Sequence, residues 1–265
     1  METNPVNQRI DIFAQHGWGF SAQSWSNYLA DFAVSTGISV DAACPDRGYF
    51  GVQPATRSVA CGSPGNLKVV IAHSLGLHLL PPEVLHDCRL LVAVSSFANF
   101  HLVEGRRTRA LVSRMLAKLE RQPLNVVRDF LHNAFDPAPS GMLLKTALDE
   151  SDLNVRALRS DLMHLNESHV NLAGLAHIPN ILLMHGTRDG IVNHQHAQLL
   201  HAQLPQSELL FIEGQGHALP FTNPLACHLA LRQAIKQAAR QSAAYAAPQS
   251  AGHAAPQPTG HAAVQ

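Results

Sequence analysis

Six short apolar runs alternate along the chain with longer segments in which apolar residues recur at helical spacing. An apolar run too short for a buried helix indicates a strand that is covered on both faces. Such strands, separated by helices, are typical of a parallel sheet, so we predict an α/β fold, mostly parallel, with helices on both faces. The predicted strands are 10–14, 38–42, 67–72, 90–95, 180–185 and 208–212.

The alternation is interrupted once, between Ser96 and about Leu165, where helical periodicity continues without a strand pattern. We therefore predict a core made of residues 1–96 and 166–240, with a helical cap inserted at 97–165.

The end of the chain differs in composition. Residues 241–265 consist almost entirely of Ala, Pro, Gln, Ser, Gly and His, and the octapeptide AAPQSAGH recurs as AAPQPTGH. A segment of this kind cannot bury a core, so we predict that it is disordered. Before it, Asn223 and Pro224 fit the N-cap and first turn of a final helix, which we expect to run toward Gln237.

Composition excludes several classes of protein. The 265 residues carry 19 Lys and Arg against 19 Asp and Glu, so the chain lacks the net positive charge on which nonspecific nucleic-acid binding depends. Its four cysteines form no C-x-x-C pair, its first residues do not form a signal peptide, and its apolar stretches are shorter than a spanning helix. We expect a cytoplasmic protein that binds neither nucleic acid nor membrane, and we take it as a monomer.

The third predicted strand leads directly into the sequence AHSLG at residues 72–76. This matches the G-x-S-x-G nucleophile elbow, with Ala72 in place of the first glycine. A sharp turn from strand to helix needs small residues two positions before and after the serine, because larger side chains would collide with the neighbouring strand and helix. Ser74 is therefore the candidate nucleophile, although the motif alone has low specificity.

Three other loops follow the carboxyl ends of predicted strands, where open parallel sheets build their sites. The first strand ends in HGWG, a turn that can present the N–H of Trp18, together with that of Leu75, to a developing oxyanion. The fifth strand ends in GTRDG, which contains Asp189, and the sixth in a loop ending in GQGH, which contains His217. The chain order is thus serine, aspartate, histidine.

A serine hydroxyl is a poor nucleophile, so a histidine must accept its proton and a carboxylate must hold that histidine. Here His217 would be the base and Asp189 its partner. Each also has a structural explanation, since Asp189 could cap the following helix and His217 is one of 17 histidines. Hydrogen bonds within the core would explain His73 and His185. The coincidence of four elements at four strand ends favours the triad.

Three further histidines, His194, His196 and His201, lie on the segment after Asp189. Their spacings do not bring three ligands to one side of a helix, and the chain has no H-E-x-x-H motif. We therefore expect no metal site and no cofactor.

Together, these four motifs resemble those of the α/β-hydrolases over about residues 9–238. Within that superfamily the chain is most similar to the pimeloyl-acyl carrier protein methyl ester esterases of biotin synthesis. That similarity lies in the tryptophan of HGWG, a second one at Trp25, the segment Asp-Gly-Ile-Val from Asp189, and a four-helix-like cap. The chain departs from the usual pattern in Ala72, in a short N-terminal segment, and in the Pro-Pro pair at 81–82, which should shorten the helix after the nucleophile.

The predicted cap also indicates a class of substrate. Seven basic and three acidic residues between Glu104 and Phe130 give a net charge of +4, and one helix shows an apolar face beside a basic stripe. Such a surface would steer an acidic carrier protein with a tethered acyl chain, although a solvated helix face explains the same pattern. The stripe contains Arg107, Arg114, Lys118 and Arg121, and the expected lining of the acyl pocket is Trp18, Phe97, Phe130 and Leu219.

We therefore expect a serine carboxylesterase of the EC 3.1.1 type that hydrolyses pimeloyl-acyl carrier protein methyl ester through an acyl-serine intermediate. A broad-specificity esterase or lipase acting on small esters fits the same triad. A noncatalytic binding protein with this fold is the third possibility, against which the intact triad argues.

Overall fold

The computed structural model describes residues 9–51, 65–138 and 149–246. Its strands are β1 (Ile10–Gln15), β2 (Val40–Ala43), β3 (Leu67–His73), β4 (Leu90–Val94), β5 (Ile181–Gly186) and β6 (Ser207–Ile212). They form one parallel sheet in the order β2-β1-β3-β4-β5-β6. Each strand coincides with a predicted one to within two residues, and the predicted α/β fold is confirmed.

Helices connect the strands and cover both faces of the sheet. Within the described residues they are α1 (Ala22–Thr36), α2 (Gly105–Leu119), α3 (Pro123–Phe135), α4 (Val155–Glu167), α5 (Leu172–Leu175), α6 (Gln195–Gln203), α7 (Leu219–Thr222) and α8 (Pro224–Ala246). Helices α1 and α8 bury their apolar sides against one face of the sheet. Helix α6 belongs to the apolar cluster on the other face.

Helix α1 illustrates how the sheet is covered. Trp25, Tyr28, Leu29 and Phe32 recur at helical spacing and are all buried. Burial of each such side chain contributes about 1.5–3 kcal/mol, so this single stripe is a major part of the contact with the sheet. Gly37 ends the helix with φ of 68°, a left-handed conformation that favours glycine.

The chain after β3 forms 3-10 helices instead of an α-helix. The first is Ser74–His78 and the second is Pro82–Leu85. A proline has no N–H to donate to a helix, so the Pro-Pro pair at 81–82 separates the two turns, in agreement with the short helix expected there.

Helices α2, α3 and α4 lie in the chain between β4 and β5. Helix α2 contacts both of the others, and apolar side chains of all three form one cluster with Trp18 and Leu75 of the loops after β1 and β3. Helix α4 ends at Glu167, two residues beyond the predicted end of the cap. Residues 139–148, which the prediction assigns to the cap, lie outside the described residues.

The final helix is longer than predicted. Helix α8 runs to Ala246, so the expected end near Gln237 and the onset of disorder at 241 are wrong. The sequence QSAAYA at 241–246 is rich in alanine, the strongest helix former, and it continues the preceding helix. Residues 247–265 lie outside the described residues. No helix in the described part of the chain is long and apolar enough to cross a membrane.

Candidate active site

Parallel pairing brings the carboxyl ends of the central strands to one edge of the sheet. Gln15 of β1 pairs with Ala72 of β3, and Gly186 of β5 pairs with Ile212 of β6. The loops that leave these strand ends carry all the residues of the predicted triad. The site is therefore built from segments that are far apart in sequence and are joined by strand register.

Ser74 occupies a sharp turn directly after β3. Its φ is 55°, in the left-handed region that residues with a side chain rarely adopt, and such conformations concentrate at functional turns. A Cβ on Gly76 would lie 2.6 Å from the backbone carbonyl oxygen of Gln15. This is the collision with the neighbouring strand that the small residues of the motif avoid. Ala72 is itself fully buried.

Asp189 and His217 meet at the same edge. His217 Nδ1 donates a hydrogen bond to Asp189 Oδ2 at 2.8 Å, and both side chains are fully buried. Asp189 Oδ1 accepts the backbone N–H groups of Ile191 at 2.9 Å and Val192 at 2.8 Å. Asp189 thus caps the following turn and also accepts a hydrogen bond from a histidine, so its capping role is compatible with the predicted one.

The electrostatics of the pair define its protonation states. Burial alone would raise the pKa of Asp189, but the charge and hydrogen bonds of His217 and His185 outweigh it and hold that pKa well below its usual range. Because Nδ1 of His217 donates to this carboxylate, the lone pair of the neutral ring is on Nε2. Nε2 is buried and has no hydrogen-bond partner among the described residues.

The hydrogen bond from Ser74 Oγ to His217 Nε2 is accordingly not formed in this structure. Catalytic hydrogen bonds are often long without substrate and tighten when it binds. The two residues are nevertheless neighbours, because His73, which precedes Ser74, donates from Nε2 to the backbone carbonyl of His217 at 3.0 Å.

Buried histidines support the loops around the nucleophile. The rings of His73 and His217 are 4.9 Å apart. His16 Nδ1 donates to the carbonyl of Gly17 at 2.9 Å, and His16 Nε2 accepts the backbone N–H of Arg47 at 3.0 Å. Burial lowers the pKa of His73 to about 3 and also lowers that of His16. Both rings are therefore neutral near pH 7 and act as fixed donors.

The two predicted oxyanion donors lie in turns that face the nucleophile. Leu75 is in the first turn of its 3-10 helix, where amides have no intrahelical acceptor. The N–H of Trp18 is not hydrogen-bonded to any other described backbone group. A Cβ on Gly17 would lie 2.9 Å from Ser74 Cβ, so this turn packs directly on the serine. The indole Nε1 of Trp18 donates to the carbonyl of Leu158 in α4 at 2.8 Å.

A cavity of about 540 Å³ includes Ser74 in its wall, a volume typical of small-molecule sites. Trp18 and Phe130 line it, with their rings edge to face at 4.8 Å. Phe97 and Leu219, expected in the same lining, are fully buried elsewhere: Phe97 packs among aromatic and histidine rings, and Leu219 packs in the core against the sheet. The other apolar lining residues are Phe100, Leu111, Val112, Met115, Val126, Leu162, Leu165 and Ile191.

Three residues of the predicted basic stripe, Arg107, Arg114 and Lys118, line this cavity, whereas Arg121 does not. Arg107 pairs with a glutamate one turn earlier at 3.3 Å, and Lys118 pairs with Asp129 of α3 at 2.9 Å. Arg114 makes no ion pair within the described part of the chain. Its positive charge is therefore the least compensated of the three.

A second histidine, His185, lies at the carboxylate, a contact that the core hydrogen bond expected for it does not include. His185 Nε2 lies 3.1 Å from Asp189 Oδ2 and 2.9 Å from the backbone carbonyl of Val192. The signal was present in the sequence, since a histidine at the end of a buried strand precedes the aspartate by four residues across a tight turn.

A partly buried polar cluster, which no motif in the sequence indicates, lies beneath the inserted helices. Arg47 donates to Asp161 from Nε at 2.7 Å and from a terminal nitrogen at 2.6 Å, and the Tyr49 hydroxyl donates to the same carboxylate at 2.6 Å. Asp161 lies on α4, whereas the other two residues follow β2, so the cluster fastens α4 to the core. The partners are more than 100 positions apart, and no local pattern indicates the contact.

Comparisons with known proteins agree with this architecture. An esterase from Exiguobacterium antarcticum has a TM-score of 0.68 at 14% identity, covering 87% of this chain and 92% of that one. A bromoperoxidase from Bacillus anthracis has a TM-score of 0.64 at 17% identity, covering 86% and 92%. Esterase RhEst1 from Rhodococcus sp. ECU1013 has a TM-score of 0.59 at 17% identity, covering 88% and 92%.

At these identities the solved structures establish the fold and not the reaction. A comparison with curated proteins finds no match. The family model described as the alpha/beta hydrolase family matches residues 12–228. Because that match spans well over half of the chain, the protein belongs to the α/β-hydrolase family.

Proposed function

We propose that the protein is a serine carboxylesterase that acts through an acyl-Ser74 intermediate. The observation that carries the proposal is the buried 2.8 Å hydrogen bond between Asp189 and His217, which leaves His217 Nε2 free next to the turn that holds Ser74. A histidine fixed in this way is suited to act as a general base toward a hydroxyl.

In the proposed reaction, Ser74 Oγ attacks the ester carbonyl carbon while His217 Nε2 takes the hydroxyl proton. The negative charge on the carbonyl oxygen is stabilised by the N–H groups of Trp18 and Leu75. The alcohol then leaves with the proton from His217, and the acyl group stays on Ser74. Water, deprotonated by His217, releases the carboxylic acid and restores the serine.

Asp189 contributes to both proton transfers. As a buried anion it keeps the proton of the neutral His217 ring on Nδ1, so that Nε2 carries the lone pair that accepts the serine proton. It also stabilises the imidazolium that forms when His217 accepts the serine proton, and that stabilisation is strong because the pair is shielded from water.

The cavity supports a proposal for the substrate. Its apolar wall suits an acyl chain, and Arg114, which makes no ion pair within the described residues, adds positive charge to the same lining. We propose that an acyl carrier protein delivers the ester and that the substrate is pimeloyl-acyl carrier protein methyl ester. Complementary charge would act mainly on the rate at which the carrier associates.

The esterase proposal is tested with p-nitrophenyl butyrate and a fluorophosphonate probe. We expect the wild type to hydrolyse the ester and to be labelled, and Ser74→Ala to lose both properties. Ser95→Ala is the matched control, because Ser95 directly follows the neighbouring strand β4 with φ of 50° but is fully buried. Hydrolysis by a clean preparation of Ser74→Ala would refute the nucleophile, and a folded wild type that is never labelled would be a noncatalytic binding protein.

The carrier proposal needs two substrates, pimeloyl-carrier methyl ester and a free methyl ester. We expect Arg114→Glu to lower kcat/KM by about three- to tenfold for the carrier-bound ester only. Arg240→Glu, a charge reversal at an exposed position on α8, should change neither value. A second test asks whether the gene restores biotin-free growth to a strain that lacks its own esterase. If it does not, and if all variants turn over both esters equally, the protein is a broad-specificity esterase.

A further inference from the structure

The carboxylate of Asp189 accepts three hydrogen bonds and has a fourth nitrogen, His185 Nε2, within 3.1 Å. Oδ1 accepts two backbone N–H groups, from Ile191 and Val192. Oδ2 accepts His217 Nδ1 at 2.8 Å and faces His185 Nε2 at 3.1 Å. Two imidazoles, one from a residue before Asp189 and one from a residue after it, thus lie close to one oxygen, and only one of them belongs to the proposed triad.

The proton of His185 can be assigned from its surroundings. Nε2 faces two oxygens, that of Asp189 and the carbonyl of Val192 at 2.9 Å, and both are acceptors only. Nδ1 is buried and has no hydrogen-bond partner among the described residues. A proton on Nε2 is donated to the carbonyl of Val192 and is also attracted by the carboxylate oxygen, whereas a lone pair there would be repelled by both, so Nε2 is the nitrogen that donates.

We propose that His185 is a positioning residue for the proposed triad, which donates to Asp189 Oδ2 and thereby fixes the carboxylate and limits its pull on His217. The inference rests on the proposed function. His185 is the penultimate residue of β5 and is fully buried, so its ring is held by the rigid sheet and not by a loop. The carboxylate, which belongs to the turn after β5, is thus anchored to a strand.

Sharing Oδ2 has an electrostatic consequence. A donor on an anion spreads its charge, so the donor from His185 weakens the attraction between Asp189 and a protonated His217. Without His185, the imidazolium form of His217 would be favoured and proton transfer from it to the leaving alcohol would become harder. The other titratable groups facing this pair are His73, which contacts the ring of His217, and His196 of α6, which interacts electrostatically with both His185 and Asp189.

The test compares kcat, KM and the pH dependence of kcat/KM in three variants. His185→Leu removes the donor and replaces the ring with an apolar side chain of similar size. His185→Gln retains an N–H donor at about the position of Nε2. His196→Leu is the matched control, because it deletes a neighbouring buried imidazole that donates no hydrogen bond to Asp189.

We expect His185→Leu to lower kcat by about 10-fold or more, with KM within about threefold, because misplacement of a catalytic group acts on the chemical step. The acid limb of its kcat/KM profile should move to higher pH by about half a unit. His185→Gln should stay close to the wild type in both respects, and His196→Leu should keep the wild-type profile. If His185 had a purely structural role, His185→Leu would lower activity equally at every pH. That result, or the same kinetics in His185→Leu and His196→Leu, would overturn the inference.

If His185→Leu does not fold, His185→Asn replaces it, since its shorter amide does not reach the carboxylate. Equal activity and pH profiles of His185→Asn and His185→Gln would then overturn the inference. A second measurement distinguishes failure of this inference from failure of the proposed function. The proton NMR resonance of His217 Nδ1–H reports on the bond to Asp189 even in a protein that hydrolyses nothing. This resonance should shift in the donor-deleted variant but not in His196→Leu, and an unchanged resonance would also refute the role of His185.

Discussion

Gly17 offers a test of how closely the turn at residues 16–19, which carries the proposed oxyanion donor Trp18, must approach the proposed nucleophile Ser74. A methyl group on this residue would lie 2.8 Å from the carbonyl oxygen of His73 and 2.9 Å from Ser74 Cβ. Ordinary contact begins at about 3.4 Å, so Gly17→Ala must separate the turn from the nucleophile by about half an ångström. Gly17 has no positive φ, and the effect of the substitution is therefore steric alone.

The displacement acts on the two groups that the proposed mechanism brings together. The turn carries the N–H of Trp18, and a misplacement of about 1 Å in an active site can reduce the rate 100-fold. We expect Gly17→Ala to lower kcat on p-nitrophenyl butyrate by about 10- to 100-fold, which corresponds to about 1.4–2.7 kcal/mol. Overpacking should also lower the free energy of unfolding by about 1–3 kcal/mol in a urea titration.

Gly190→Ala is the matched control for this experiment. Gly190 lines the same cavity, has no positive φ, and a Cβ there would meet nothing within 4 Å. It should therefore keep both activity and stability near the wild-type values. If folded Gly17→Ala turned over the ester within twofold of Gly190→Ala, the close packing of the turn on Ser74 would have no catalytic importance and the reasoning would fail.

Three further outcomes are expected. Asp189→Asn should lower kcat by about 10⁴-fold in the same assay without loss of fold, because the amide favours the wrong tautomer of His217; a loss below tenfold would contradict this. Asp161→Leu leaves Arg47 without its buried partner and should cost about 2 kcal/mol in urea titrations, a low value because the Arg47 side chain is 38% exposed. The double variant Arg47→Leu/Asp161→Leu should recover only the part of that loss due to the unpaired Arg47, because the buried Tyr49 hydroxyl loses its acceptor in both variants, and a purely additive result would argue against the pair. Burial lowers the pKa of His78 from 6.5 to about 4. Between pH 4 and pH 6.5 the unfolded chain therefore binds more protons at this residue than the folded chain does. The contribution of His78 to the free energy of unfolding consequently rises with pH in that range, by about 1 kcal/mol per pH unit. His78→Gln should reduce the measured slope of stability against pH by that amount, and an unchanged slope would show that His78 is not the group responsible.

The strands were predictable because a central strand of a parallel sheet is buried on both faces, and an uninterrupted apolar run records that burial locally. Helix α8 shows the limit of such reasoning. The alanine-rich residues at 241–246 fit both a low-complexity tail and a helix, and the local sequence does not decide between them.

The triad candidates were predictable because each follows a recognisable strand and needs only its residue type and its place in the chain order. The lining of the cavity was not predictable in the same way. Phe97 and Phe130 are both large aromatic residues of the same part of the chain, yet Phe130 lines the cavity while Phe97 is fully buried away from it. The direction of a side chain there depends on how helices and loops rotate when they pack, which no local pattern records.

The sequence by itself determined the parallel α/β architecture, the small residues around Ser74, and the loops that carry Asp189 and His217, because each of these depends on local periodicity or on residue size. Only the tertiary structure decided that His185 shares the carboxylate of Asp189 and that Asp161 on α4 binds the loop after β2. The carboxylate is shared because His217 reaches it from the loop after β6, 28 positions away, and Arg47 lies 114 positions from Asp161, so both arrangements depend on strand register and helix packing.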